Sequence, residues 1–267
     1  MRRSAVVSES VPLKTAGMPD QPLLRLVHYA PGLRQPMHAH AEASLSLLLD
    51  GRVCERVGRC ERTAQAGQWC HKAAGVDHAT AFGPEGATTL QLVLADRAAL
   101  APGLPWHWGH DGKVTRLLWA LLGGGWGALG PEVLHDLSAL LVHGDEDRRA
   151  PPWWPRAHQA LCEGHAPIGA VAAECGVHRA HLVRVAQRQA GCTPVVLRQR
   201  ARLGRSLARL DREPGLALSD LALADGFADQ AHFSRECRRW LGQAPGRWRR
   251  RWAEPGAGVR GPTSSAP

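Results

Sequence analysis

The fold of the C-terminal half is decided by one stretch, Asp225-Gly-Phe-Ala-Asp-Gln-Ala-His-Phe-Ser-Arg-Glu-Cys-Arg-Arg-Trp-Leu-Gly-Gln-Ala-Pro245. Asp229 can cap a helix, because its carboxylate accepts from the free N–H groups of the first turn. An apolar stripe then recurs at helical spacing: Phe233, Cys237 and Trp240. Gly242 suits the left-handed residue after a helix, and Pro245 suits the first turn of the next one. The stretch therefore predicts a turn and a basic amphipathic helix, as in a helix-turn-helix recognition element.

A second copy of this pattern lies upstream. Before the turn the offset is 50 residues, and Ile168, Val171, Ala172, Gly176 and Val177 correspond to Leu218, Leu221, Ala222, Gly226 and Phe227. After the turn the offset is 51, and His181, Leu182, Arg184, Gly191 and Pro194 correspond to His232, Phe233, Arg235, Gly242 and Pro245. The extra residue falls at the turn, where insertions are tolerated best. The sequence thus predicts one structural unit used twice.

The charge of the chain is concentrated in the same half. The formal net charge of the 267 residues is +9. Residues 1–150 hold 15 Lys/Arg and 15 Asp/Glu, whereas residues 151–267 hold 18 Arg, no Lys and 9 Asp/Glu, so the excess of 9 lies in the second part. Arginine suits bidentate contact with phosphate and guanine. This asymmetry indicates a nucleic-acid-binding module joined to a neutral one.

The composition also indicates the cellular compartment of the protein. The seven cysteines are odd in number and irregular in spacing, which argues against a disulfide framework or a zinc knuckle. No apolar run approaches the roughly 20 residues that span a bilayer, and the N-terminus lacks the apolar core of a secretion signal. We expect a cytoplasmic protein with no membrane partner.

The chain divides by its periodicity into five parts. Residues 1–100 hold short apolar runs separated by turns, which predict a small antiparallel β-barrel or sandwich after an irregular lead-in. Residues 101–144 predict a helical hairpin, whose apolar face could pack on a partner subunit in a homodimer or on the chain's own barrel. A charged, proline-ended linker follows at 145–152. Residues 153–252 are helical throughout, and 253–267 form a tail predicted to be disordered.

Residues 153–252 resemble the paired helix-turn-helix domain of AraC/XylS-type transcriptional regulators. The resemblance is carried by Gly226-Phe-Ala-Asp-Gln-Ala-His-Phe-Ser-Arg235, by Gly242, Pro245 and Trp248-Arg249, and by Gly176-Val-His-Arg-Ala-His-Leu-Val-Arg184 in the first copy. It implies an α+β multidomain protein: an N-terminal antiparallel β-barrel, cupin-like or jelly roll, with a helical hairpin, and a C-terminal all-α domain with two helix-turn-helix motifs. It also implies that a long helix joins two recognition helices on double-stranded DNA.

The resemblance places base-facing positions in both copies. They are Ala180, Val183 and Arg184 in the first and Gln230, Ala231 and Arg235 in the second. An arginine can pair with guanine O6/N7 and a glutamine with adenine, whereas alanine and valine offer only apolar contact. The second copy should therefore carry more sequence information. Further candidate DNA contacts are Arg179, Arg188 and Arg239, for which phosphate contact or a solvated surface are the alternatives.

The N-terminal half resembles the two cupin motifs. Gly32 precedes His38-Ala-His40 by five residues, and Gly67 and Gly75 precede His78. In metal-binding cupins, two such histidines, a glutamate and a later histidine converge on a divalent metal. Here the glutamate position holds Ser44, and Glu42 is displaced by two. The resemblance to AraC/XylS-type regulators implies an effector-sensing barrel, so we assign His38, His40 and His78 to binding a small-molecule effector. A structural role and a bound metal are the alternatives, and we assign no cofactor.

Three functions compete. The preferred one is a sequence-specific, effector-controlled transcriptional regulator without enzyme activity. The alternative is a metal-dependent cupin enzyme with an accessory helical domain. A regulator with thiol chemistry at Cys54, Cys60 or Cys70 with His71 is a third, against which stands the ordinary burial of cysteine in protein cores.

Overall fold

The computed structural model describes residues 10–14, 23–94, 104–110, 112–122, 137–141 and 150–253 of the chain. Within these ranges the N-terminal part is an antiparallel sheet and the C-terminal part is helical. No helix in the described ranges is both long and apolar enough to cross a membrane.

The described residues form one sheet of eight strands. Their bounds are β1 Ser10–Lys14, β2 Leu23–Tyr29, β3 Arg34–His38, β4 Ala43–Val57, β5 Cys60–Gln65, β6 Trp69–Lys72, β7 His78–Leu94 and β8 Trp106–Gly109. Hydrogen bonding follows the path β1-β2-β7-β4-β6-β8, with β3 paired to β7 and β5 paired to β4. All of these strand pairs are antiparallel, as the sequence predicts. The path has two ends in the described residues, so a closed barrel stays a prediction.

The two long strands, β4 and β7, hold the sheet together. In their first pairing Leu45 lies opposite Leu92 and Leu47 opposite Leu90. Alternate residues of a strand point to the same face, so these leucines form one apolar layer. All four are completely buried. Their layer supplies the surface on which the helices pack.

The helical part begins inside the predicted hairpin and continues to the end of the described chain. The helices are α1 Gly112–Leu122, α2 Trp154–Glu163, α3 Ile168–Glu174, α4 Arg179–Gln189, α5 Pro194–Arg212, α6 Leu218–Ala224, α7 Gln230–Leu241 and α8 Pro245–Ala253. Residues 137–141 are also helical. Most of the predicted second hairpin helix, most of the predicted linker and nearly all of the predicted tail lie outside the described residues.

The predicted end signals of α7 are confirmed. The Asp229 carboxylate accepts from the backbone N–H of His232 at 2.5 Å. Gly242 has φ +67° and follows the last helical residue, a conformation that costs glycine little. Pro245 begins α8. The local chemistry of this stretch therefore determined both helix boundaries.

Two apolar cores organise the helices. The first contains the leucine layer of the sheet, α1, the second half of α5 and the pair α6 and α7. The other contains α2, α3, α4 and the first half of α5. Because the sheet shares a core with α6 and α7, the sheet and the second helix pair pack against each other. Helix α5 lies very close to strand β4 at Gly204, where an added Cβ would lie 2.3 Å from the carbonyl oxygen of Leu49.

Helix α1 uses its apolar side within the chain. Val114, Leu118 and Leu121 are buried, and the Trp119 ring lies 6.2 Å from that of Trp240 on α7. Of the two alternatives for the predicted hairpin, the structure describes this intramolecular packing for its first helix.

Candidate DNA interface and ligand site

Helix α7 presents a polar face to solvent and an apolar face to the core. Phe233, Cys237 and Leu241 are completely buried. Gln230, Ala231 and Arg235 are exposed together on the first turns. The cap at Asp229 fixes the direction in which this end of the helix begins. All three predicted base-facing residues of the second copy are therefore available to a partner.

Helix α4 repeats the arrangement with a different cap. The backbone N–H of Ala180 donates to His178 Nδ1 at 3.2 Å, a cap that the sequence analysis missed because histidine is not among the usual capping residues. Four predicted DNA contacts on this helix are exposed: Arg179, Ala180, Arg184 and Arg188. Val183 is half-buried, and it lines a shallow depression with His178, Arg179, Ala180 and Arg184.

Arg239 is held more firmly than the other arginines of α7. Its guanidinium lies 3.8 Å from Glu236 and 5.5 Å from the centre of the Trp240 ring. Its side chain is still 63% exposed. This position near the C-terminal end of the helix suits a phosphate contact better than a base contact, because recognition helices contact bases mainly through their first turns.

A buried carboxylate joins the second helix pair to α5. Asp225 accepts from Ser206 Oγ at 2.6 Å and from Arg209 Nη1 at 3.1 Å. Asp225 is 6% exposed, so this ion pair is partly shielded from water. It fixes the turn before α7 against the long helix, and hence fixes the direction of α7 relative to α5.

The three predicted effector-binding histidines come together at one end of the sheet. Their ring centroids are 4.9 Å apart for His38 and His40, 4.3 Å for His38 and His78, and 5.2 Å for His40 and His78. His78 is buried, and the other two retain contact with solvent. The structure thus brings together the three imidazoles of the cupin-like spacing, and their role as an effector site stays a prediction.

Backbone carbonyls fix two of these rings. His38 Nδ1 donates to the Pro36 carbonyl at 2.8 Å, and His78 Nδ1 donates to the Val76 carbonyl at 2.9 Å. A proton on Nδ1 leaves Nε2 as a free acceptor or metal ligand. Burial first, and then neighbouring positive charge, lowers the pKa of both His40 and His78 to about 4. These imidazoles are therefore neutral near pH 7, the form that binds a metal.

The histidines fit a transition metal in ligand type. One ligand nitrogen from each lies within 4.8 Å of the others. Tetrahedral zinc ligands at 2.0–2.1 Å from the metal would be roughly 3.4 Å apart, so the rings would have to close around the ion. Within the described residues, neither Glu42 nor Ser44 belongs to this group. The three imidazoles could thus hold an ion without the carboxylate of the cupin motif.

The sequence analysis missed a buried carboxylate beside the histidines. Glu55 on β4 is 3% exposed, and it accepts from Trp106 Nε1 at 2.5 Å and from Trp108 Nε1 at 3.0 Å. Lys72 forms an ion pair with it. Burial alone would raise the pKa of Glu55, but Lys72 and the hydrogen bonds outweigh burial and hold the pKa below its ordinary value. In the sheet Glu55 lies opposite Arg62 of β5 and Thr80 of β7, whereas Lys72 of β6 lies opposite Ser44 of β4 and Trp106 of β8. The tertiary fold, and not direct strand pairing, therefore brings these residues together.

The cysteines do not form a reactive cluster in the described residues. Burial raises the pKa of Cys70 well above its ordinary value and that of Cys162 to about 12, which keeps both as thiols near pH 7. A thiolate is the reactive form of cysteine. Cys60 is exposed and Cys54 is half-buried.

Comparison with known proteins assigns the helical part. Residues 171–251 match the family model described as "Helix-turn-helix domain". Over 95 residues the chain is 34% identical to the HTH-type transcriptional regulator VirS of Mycobacterium tuberculosis, covering 35% of this chain and 27% of VirS. The chain therefore spans only about a quarter of the length of that relative.

Two solved structures resemble larger parts of the chain more weakly. ToxT from Vibrio cholerae, crystallised with an unsaturated fatty acid bound, has a TM-score of 0.38 and 11% identity over 85% of this chain and 94% of ToxT. A cupin superfamily protein from Desulfitobacterium hafniense has a TM-score of 0.30 and 20% identity over 36% of this chain and 84% of its own. These scores are too low to assign a shared fold or a ligand.

Proposed function

We propose that this chain, whose residues 171–251 match a helix-turn-helix family model, is a sequence-specific DNA-binding transcriptional regulator of the AraC/XylS type, controlled by a small-molecule effector. The family match over both recognition helices is the observation that carries the proposal. The exposed faces of α4 and α7 and the all-arginine positive charge of residues 151–267 support it.

Two recognition helices contact DNA in this proposal. The 19 residues of α5 give it a length of about 28 Å, near the 34–36 Å that separates successive major-groove segments on one face of DNA. Arg184 and Arg235 would pair with guanines and Gln230 with an adenine. Ala180, Val183 and Ala231 would make apolar contacts, while Arg179, Arg188 and Arg239 would bind phosphates.

Arg235→Ala tests direct base contact. The preferred duplex is first selected from random DNA with the full chain. Arg235→Ala should then weaken binding to that duplex by about 1–3 kcal/mol and relax the preference at one base pair. Arg238→Ala, an exposed arginine on the same helix, is the matched control and should weaken selected and random duplexes equally. An equal loss on both duplexes for Arg235→Ala would instead assign this side chain to the phosphates.

The effector would bind at His38, His40 and His78. The fixed Nε2 atoms of His38 and His78 favour a second candidate at the same site, a divalent transition metal held by the three imidazoles. Equilibrium dialysis of the full chain against Zn²⁺, followed by metal analysis, distinguishes the two. One bound equivalent that is lost in His40→Ala but kept in His28→Ala supports the metal. His28 is the control because its pKa is also lowered to about 4 by burial, yet it lies outside the cluster.

A short segment could carry the signal to the DNA-binding part. Trp106 and Trp108 bond Glu55 beside the histidines, and two residues later His110 Nε2 lies 2.6 Å from Gln189 Oε1 at the end of α4. Gly112 then packs directly on Gly191, which leaves no room for a Cβ at either position. An effector that displaces Glu55 would move this segment and so favour one arrangement of α4 and α7.

A regulator without catalytic activity is the better proposal than a metal-dependent cupin enzyme. The cupin glutamate position holds Ser44, and the carboxylate that lies near the histidines, Glu55, is already bound to Lys72, Trp106 and Trp108. It is therefore not free to move a substrate proton. Homodimer formation and a cytoplasmic location remain predictions from the sequence.

A further inference from the structure

A small cavity lies where the sheet meets the helices. Leu48 and Leu49 of β4 line one side, and Trp119 of α1 and Leu197 of α5 line others. Two polar side chains also line it, Thr115 of α1 and Arg200 of α5. The cavity is thus apolar apart from these two groups, and it lies away from both the histidines and the DNA-facing surfaces.

Arg200 is buried there without a carboxylate. The residue is 7% exposed, and no described residue offers a hydrogen-bond partner to its Nε or Nη1. Its guanidinium lies over the Trp240 ring at 5.2 Å, and the described ion pairs do not include it. Arginine stays protonated in proteins, so the cavity holds an uncompensated positive charge. Removing such a charge from water is costly unless an anion or hydrogen bonds compensate it.

The neighbours add positive charge rather than negative. Arg116 on α1 lies close enough to lower the pKa of Arg200 further, after the larger effect of burial. Cys192 is the other neighbour and forms a hydrogen bond with the Arg200 side chain. Burial raises the pKa of Cys192, so it remains a neutral thiol near pH 7 and does not neutralise the charge of Arg200. Thr115 is 6% exposed, and its hydroxyl also has no partner among the described residues. Two side chains that line the cavity thus carry unpartnered polar atoms: Nε and Nη1 of Arg200 and the hydroxyl of Thr115.

We infer that this cavity binds a small monovalent anion, of the size of chloride or formate, between Arg200 and Thr115. The space open to the centre of a water-sized sphere is about 20 Å³, and one water needs roughly 10–15 Å³ by that measure. The apolar walls leave no room for a longer carboxylate. Arg200 Nε–H and Nη1–H and the Thr115 hydroxyl would donate to the anion.

Such an anion would join the two parts of the chain, since Thr115 belongs to α1 and Arg200 to α5. An anion that binds only when these helices are together stabilises the folded chain in proportion to its concentration. This inference goes beyond the proposed regulation of transcription and does not depend on DNA binding.

Thermal unfolding of the full chain tests the inference. Sodium chloride and sodium formate are each compared with sodium gluconate at equal ionic strength, because gluconate is too large for the cavity. The midpoint should rise by several degrees in chloride or formate, and this rise should vanish in Arg200→Met. Arg202→Met, which removes a partly buried arginine from the same helix, should keep the rise. In gluconate, Arg200→Met should be at least as stable as the parent, because it removes an uncompensated charge.

A crystal soaked in sodium bromide gives the direct test. Bromide should produce an anomalous peak within hydrogen-bond distance of Arg200 and Thr115. If Arg200→Met does not fold, Thr115→Val replaces it and should reduce the chloride-dependent rise. An equal rise in parent and variant, or a cavity without a bromide peak, would mean that water alone fills it and would overturn the inference.

Discussion

Replacing Gly204 by alanine should destabilise the protein, although alanine favours helices. A Cβ at Gly204 would lie 2.3 Å from the Leu49 carbonyl oxygen and 3.0 Å from its carbon. An ordinary contact begins at 3.4 Å, so α5 would have to move about 1.1 Å away from β4. The carbonyl belongs to the backbone of a central strand and cannot rotate aside. The leucine layer that packs Leu203 and Leu207 against the sheet would open with it.

The expected magnitude follows from two opposing effects. Overpacking costs about 1–3 kcal/mol, and the upper end applies because both partners are backbone. The higher helix propensity of alanine than of glycine stabilises the folded state by about 1 kcal/mol. The net loss is then about 2 kcal/mol, which lowers Tm by roughly 4–8 °C in a domain of this size.

Gly169→Ala is the matched control. Gly169 lies in α3, where an added Cβ meets nothing within 4 Å. This variant should raise the stability by about 0.5–1 kcal/mol, so the two alanines have opposite signs. Urea and thermal unfolding of both variants, followed by circular dichroism, measure the difference. If Gly204→Ala is stabilised as much as Gly169→Ala, α5 does not pack on β4 in solution and the shared core is wrong.

Three further predictions concern two buried polar groups and one helix cap. Burial lowers the pKa of His158 in the folded chain to about 4. As the pH falls, His158 is therefore protonated in the unfolded chain before it is protonated in the folded chain. Stability should fall by up to about 3 kcal/mol as the pH drops from about 6.5 to 4, and His158→Leu should lose that part of the slope in urea unfolding. Glu55→Gln should cost about 3–5 kcal/mol by leaving Lys72 without a counter-charge, and a double-mutant cycle with Lys72→Met should recover much of it. Asp229→Ala should cost about 1 kcal/mol and speed hydrogen exchange in the first turn of α7, whereas unchanged exchange would contradict the cap.

The sequence predicted best where the signal is local. The cap at Asp229, the left-handed Gly242 and the start of α8 at Pro245 each depend on a few neighbouring residues, and all are present. The histidine cluster depends on distant strands. It was still predictable, because a known motif spacing encodes the pairing of β3 with β7 that brings His38 opposite His78.

Glu55 shows why the rest could not be predicted. A charged residue in a strand normally faces water, and no residue close to Glu55 in the sequence indicates an ion-pair or hydrogen-bond partner for it. Its burial depends on Lys72 and on two tryptophans that arrive from β6 and β8, and that pairing has no local signature. The contact of Gly204 with Leu49 could not be predicted for the same reason. From the sequence alone, a glycine inside a helix indicates only lower helix stability, because the strand that faces it is not known.

These two unpredicted contacts have a common consequence. One fixes Trp106 and Trp108 beside the histidines, and the other fixes α5 on the sheet. Helix α4, the proposed first recognition helix, contacts the N-terminal part through His110 and Gln189, whereas α7 shares an apolar core with the sheet. A change at the histidines would therefore be transmitted to α4 by a few polar and backbone contacts and to α7 by a packed apolar layer. Packed layers resist small displacements, so the proposed effector should move α4 relative to α7. In the proposed complex with DNA, the copy with fewer base-reading side chains would then be the one that responds, while Gln230 and Arg235 would keep the protein on its site.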